Sequence, residues 1–107
     1  MKSQLVVFVA VFLVAGLSAF ADETPEGRGE AIARGLCSQC HAISRTGNSP
    51  HSDAPRFREL DHRTDLGKLA RRIREGLLTG HEGMPMFRFD RDDADATVAY
   101  IRSIQGP

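Results

Sequence analysis

The chain has 107 residues, a length typical of a single domain. Its 14 Lys and Arg residues balance 14 Asp and Glu residues, which argues against a nucleic-acid-binding protein with its usual basic excess. There are two cysteines, no tryptophan and one tyrosine. A domain this small with so few aromatic side chains usually needs a disulfide, a metal or a cofactor to stabilise its core.

The N-terminal segment has the pattern of a secretory signal peptide. Lys2 is followed by an uncharged apolar run over residues 5–17, and then by the small-large-small triplet 19–21. We expect residues 1–21 to be cleaved after Ala21 and residues 22–107 to form one periplasmic domain. An uncleaved membrane anchor is the alternative, although a spanning helix needs about 20 apolar residues.

Three segments have helical patterns. The first runs from the cap Thr24-Pro25 towards Cys37, the second spans Thr64 to Leu78, and the third follows the cap Asp90. Apolar stripes at helical spacing comprise Leu66, Leu69, Ala70, Ile73 and Leu77 in the second and Ala94, Thr97, Val98, Ile101 and Ile104 in the third. We therefore predict an all-α fold.

Two long connections separate these helices. Residues 44–61 and 79–89 are rich in glycine, proline and small polar residues and have neither a helical nor a strand period. Irregular connections of this length in a compact domain are usually functional.

The motif with the strongest chemical meaning is Cys37-Ser38-Gln39-Cys40-His41. The spacing C-x-x-C-H is typical of covalent haem attachment, in which two thiols add to the haem vinyl groups and the adjacent histidine reaches the iron. It predicts one haem c bound through Cys37 and Cys40, with His41 as an iron ligand.

Three other readings of the cysteines are weaker. A redox pair would be expected in a βαβ context, and the surrounding segments are helical. A zinc site would have to recruit His51, His62 or His81, because no further cysteine exists. A disulfide between residues so close in the chain would close a small loop and stabilise little.

The mature region resembles the class I c-type cytochromes, small monohaem electron carriers. The resemblance implies a small cytochrome c-like fold, with three main helices wrapped around one covalently bound haem. Gly29 and Tyr100 match positions where the first and last helices of that family approach closely, whereas Ala33 replaces an aromatic residue that many relatives carry.

The resemblance also implies two further site residues. Met84-Pro85-Met86-Phe87 matches the family's methionine directly before proline, so Met84 is the predicted distal iron ligand, with Met86 and His81 as alternatives. A loop proline in the family accepts a hydrogen bond from the proximal histidine through its carbonyl. The segment around Pro55 fits that role better than Pro50.

The predicted function is periplasmic electron transport by a haem cycling between Fe(II) and Fe(III), not enzymatic catalysis. Partners would be redox proteins that dock transiently, with membrane contact only if the leader stays uncleaved. Two alternatives are a haem subunit of a periplasmic oxidoreductase complex and a gas-binding or peroxidatic haem protein. The arginine group Arg71, Arg72, Arg74, Arg88 and Arg91 is read as a solvated face, a docking rim or a partner of the haem propionates.

Overall fold

The computed structural model describes residues 23–76, 83–85 and 87–106. Within these ranges the secondary structure is helical and contains no strand, which confirms the predicted all-α class. The elements are α1 (Pro25–Leu36), a 3₁₀ helix (Phe57–His62), α2 (Leu66–Glu75) and α3 (Arg91–Ser103). The predicted signal peptide, residues 1–21, lies outside the described residues. Among the residues that are described, no helix is long and apolar enough to cross a membrane.

The first and last helices begin at the predicted caps. The Thr24 hydroxyl accepts a hydrogen bond from the Gly27 amide at 3.0 Å, and Pro25 occupies the first helical turn. The Asp90 carboxylate accepts one from the Asp93 amide at 2.8 Å. These bonds satisfy amides that would otherwise have no partner within the first turn.

Helix α2 is shorter than the predicted span of Thr64 to Leu78. It begins at Leu66 because the Asp65 carboxylate caps it, accepting from the Lys68 amide at 3.1 Å. It ends at Glu75 because Gly76 takes a left-handed conformation with φ of 72°. Residues 77 and 78 lie outside the described residues.

The 3₁₀ helix corrects the prediction that residues 44–61 have no helical period. Phe57 and Leu60 stand three residues apart, the repeat of a 3₁₀ helix, so both face the interior of the molecule. Gln105 holds this segment to the end of α3, since its Nε2 donates to the carbonyls of Phe57 and Ile101 at 2.7 Å each.

Helices α1 and α3 cross at Gly29. A Cβ added at this position would collide with the carbonyl oxygen of Ala96 and lie 2.8 Å from Cβ of Tyr100. This confirms that Gly29 lets the two helices approach closely beside Tyr100. The Tyr100 hydroxyl donates to the Ile43 carbonyl at 2.6 Å and thereby ties the loop after α1 to α3.

The core lies mainly between α3 and its two neighbouring helices. Ile101 is 2% exposed and packs in one cluster with Leu69 and Ile73 of α2 and with the fully buried Ala33 of α1. The amphipathic stripes predicted for the second and third segments therefore form the interface that positions the site.

Candidate cofactor site

The cysteine motif forms a turn that continues from the end of α1. The amides of Cys37 and Ser38 both donate to the Ala33 carbonyl, at 2.9 and 3.0 Å. The His41 amide then donates to the Cys37 carbonyl at 2.9 Å. This turn brings Cys37 and His41 to the wall of the same cavity.

The two cysteines are half-buried and are not joined by a disulfide. Burial raises the pKa of the Cys37 thiol to about 11, so that thiol is protonated at neutral pH. The reactive cysteine of a dithiol redox motif has a lowered pKa instead. The environment of Cys37 therefore argues against a dithiol redox centre.

The zinc reading also lacks a ligand set in the part of the chain that the structure describes. No group of three or more His, Cys, Asp and Glu side chains there could hold a metal ion. A structural zinc site normally has four such ligands. His81, one of the candidates for this reading, lies outside the described residues.

His41 is held in one orientation by its neighbours. The ring is 8% exposed, and its Nδ1 lies 2.7 Å from the Pro55 carbonyl oxygen. Because a carbonyl can only accept, Nδ1 carries a proton, so the lone pair of the neutral ring, which a metal requires, lies on Nε2. The Phe57 ring packs against the imidazole at a centroid distance of 5.1 Å and a tilt of 49°.

The loop that carries Pro55 folds back onto the cysteine motif through backbone hydrogen bonds. The His51 amide donates to the Cys40 carbonyl at 3.1 Å, and the Phe57 amide donates to the Ala42 carbonyl at 2.9 Å. The Ser49 hydroxyl accepts from the Ala42 amide at 2.9 Å. These contacts fix the Pro55 carbonyl beside His41.

A cavity of about 520 Å³ opens in front of His41. Its volume lies within the range of about 300–1,000 Å³ that is usual for sites of small ligands and cofactors. The lining is mainly apolar, with two arginines and two threonines: Cys37, His41, Pro55, Phe57, Leu60, Arg63, Thr64, Leu69, Arg72, Ile73, Met84, Phe87, Phe89, Thr97 and Ile101. Cys40 lies outside this lining and contributes to a smaller adjoining pocket with Cys37 and Met84.

Met84 is half-buried and lines the same cavity as His41. It follows Gly83, whose φ of 88° is a left-handed turn conformation. The stacked rings of Phe87 and Phe89, with centroids 6.0 Å apart, stand three and five residues further along the chain. Met86 and His81 lie outside the described residues, so the choice of Met84 over these two stays a prediction.

The residues present fit a haem. An imidazole nitrogen and a thioether sulfur are known axial ligands of haem iron, and two thiols suit covalent attachment. The apolar walls match the macrocycle, and the guanidinium groups of Arg63 and Arg72 match the charge of its two carboxylates. Sequence reasoning missed Arg63, whose position after a short 3₁₀ helix gives no recognisable motif.

Comparison with known families gives a match over most of the chain. The family model described as cytochrome C oxidase, cbb3-type, subunit III matches residues 25–101. No curated protein and no solved structure matches the chain. The matched region covers α1, the cysteine motif and most of α3, so the chain belongs to this family of c-type cytochromes. Membership indicates haem-based electron transfer.

Proposed function

We propose that this member of the cbb3-type subunit III family binds one haem c through Cys37 and Cys40 and transfers single electrons between partner proteins. His41 and Met84 are its proposed axial ligands. One observation carries the proposal: His41 is buried, its Nδ1 lies 2.7 Å from the Pro55 carbonyl, and its cavity is also lined by Cys37 and Met84.

Each of these residues has a distinct part. A bound haem iron supplies reversible one-electron exchange between ferrous and ferric states. The Pro55 carbonyl fixes the imidazole orientation of His41 and raises the basicity of Nε2. The Met84 thioether would be a soft ligand that favours the ferrous state, and Phe57 would exclude water from the histidine side of the cavity.

The domain is proposed to act in the periplasm after removal of residues 1–21. The charge pattern and length of that leader support this location. N-terminal sequencing of the exported protein should give Asp22 as its first residue. Recovery of the intact leader in the membrane fraction would instead support an anchored protein.

A second candidate is a haem subunit that stays bound within a larger redox complex. The description of the matching family as subunit III of an oxidase favours it. Native purification from the source cells distinguishes the two: a free carrier elutes alone, whereas a subunit co-purifies with its catalytic partner in fixed ratio.

Covalent attachment is tested by expressing the chain together with a haem-attachment system. The denatured wild-type protein should retain the haem absorption band and the mass of one haem. Cys37→Ser/Cys40→Ser should lose both, whereas the control Ser38→Ala, within the same turn, should keep them. A wild-type protein without covalently bound haem would refute the proposal.

A further inference from the structure

Helix α2 concentrates positive charge in a chain whose total formal charge is zero. Its ten residues, Leu66–Glu75, include Lys68, Arg71, Arg72 and Arg74 and a single acidic residue, Glu75. Lys68 and Arg71 are exposed, and Arg74 is half-buried at the edge of the same surface. We call Lys68, Arg71 and Arg74 the basic face.

The basic face has a carboxylate close by, that of Asp65, whose pKa is lowered by the Lys68 amide and further by the charge of Lys68. Among the described residues, none of its three cations forms an ion pair within 4 Å. Arginines elsewhere do so, in the pairs Arg28–Asp93, Arg34–Glu30 and Arg56–Glu59 at 2.5, 2.8 and 3.2 Å. The exposed charges of Lys68 and Arg71 therefore face solvent, where they can act on a charged partner.

The opposite side of α2 belongs to the wall of the cavity. Leu69 and Ile73 are buried there and, together with Arg72, line the cavity in front of His41. An α-helix with its side chains is about 10–12 Å thick. A protein docked on the basic face would thus lie about one helix diameter from the proposed haem.

The chemistry of α2 favours a protein partner. A helix that binds a membrane surface needs exposed apolar residues beside its basic ones. The large apolar residues of α2 are instead buried. Among the described residues, the exposed large apolar side chain is Leu36, which belongs to α1. Guanidinium groups pair with carboxylates through two parallel hydrogen bonds.

We infer that the basic face of α2 is the docking surface for an acidic patch on the redox partner protein. The inference rests on the proposed electron-transfer function and adds the surface and the partner's charge to it. Because redox partners form small and transient interfaces, charge complementarity mainly speeds their encounter.

The test compares two matched charge reversals. Arg71→Glu and Arg34→Glu both replace an exposed arginine on a helix, and both place two glutamates four residues apart, with Glu75 and Glu30 respectively. Electron transfer from the reduced, haem-loaded protein to an acidic plastocyanin is followed by stopped-flow absorbance at low ionic strength.

Arg71→Glu should slow the second-order rate on the order of 10-fold, and Arg34→Glu by less than about two-fold. The difference should fade in high salt, where charges are screened. The milder Arg71→Gln should show an intermediate rate, which separates loss of charge from misfolding. Equal rates for the two charge reversals, or a larger effect of Arg34→Glu, would overturn the inference.

Two controls separate the possible failures. If ascorbate reduces all variants but the plastocyanin rates do not differ, docking on α2 is wrong while electron transfer stands. If the wild type shows no reversible haem reduction, both proposals fail. The wild type could also bind phosphatidylglycerol vesicles. If Arg71→Glu abolishes that binding but leaves the rate with plastocyanin unchanged, the basic face binds a membrane and the inference of a protein partner is wrong.

Discussion

Gly29→Ala tests the packing that holds the site together. The added Cβ would collide with the Ala96 carbonyl oxygen and approach Cβ of Tyr100 to 2.8 Å. Because the first of these contacts is with backbone, no side-chain rotation relieves it, and α1 and α3 must separate. Overpacking of this kind costs about 1–3 kcal/mol, while alanine regains about 1 kcal/mol of helix propensity.

If the overpacking cost is at the upper end of its range, about 3 kcal/mol, and helix propensity returns about 1 kcal/mol, Gly29→Ala should lower the free energy of unfolding by about 2 kcal/mol. The whole free energy of unfolding of a typical domain is about 5–15 kcal/mol, so this change is a substantial part of it. Urea unfolding of the haem-loaded protein, followed by far-ultraviolet circular dichroism, measures the change. With a slope of about 1–2 kcal/mol per molar urea, the midpoint should fall by about 1–2 M.

Gly35→Ala is the matched control on the same helix. A Cβ at Gly35 meets no atom within 4 Å, so this substitution gains helix propensity without a clash. It should raise stability by about 0.5–1 kcal/mol. Equal midpoints for Gly29→Ala and Gly35→Ala would refute the close approach of α1 and α3.

Three further changes test the loop anchor, a helix cap and the distal ligand. Tyr100→Phe removes the hydroxyl that donates to the Ile43 carbonyl at 2.6 Å and should lower the unfolding free energy in urea by about 1 kcal/mol; an unchanged midpoint would show that the bond does not stabilise the loop. Hydrogen bonds from the Lys68 and Gly67 amides lower the pKa of the Asp65 carboxyl group below its ordinary value of 3.8. The ionised carboxylate therefore stabilises the folded protein above pH 3.8, and this stabilisation is lost as the pH falls through the lowered pKa of the folded state. Asp65→Asn should weaken the loss of stability in acid unfolding, and an unaltered acid dependence would contradict the cap. Met84→Ala should abolish the methionine-to-iron charge-transfer band of the ferric protein while Met86→Ala keeps it, and the reverse pattern would assign Met86 as the ligand.

Local signals predicted the helices well where a cap and an apolar stripe coincided. Thr24 and Asp90 start α1 and α3 as expected, because capping depends on atoms only three residues apart. The end of α2 was placed too late, since the apolar period continues to Leu77 although Gly76 already takes a left-handed conformation. The 3₁₀ helix was missed because it is short and depends on Gln105, far away in the chain.

The sequence predicted those residues of the candidate site that belong to one short local motif. Cys37 and His41 follow from one pentapeptide, and both line the cavity. The contact between His41 and the Pro55 carbonyl spans a loop, so the residues alone did not exclude Pro50. Arg63 reaches the cavity only through the packing of the 3₁₀ helix against α3, which no short pattern encodes.

The central claim is that His41 and Met84 hold a redox-active haem c in this cavity. Its most direct test is the optical spectrum of the purified wild-type protein in both oxidation states. We predict reversible one-electron reduction, a methionine-to-iron band in the ferric form, and no binding of carbon monoxide to the ferrous form. A ferrous haem that binds carbon monoxide readily, together with a ferric form lacking that band, would contradict the claim.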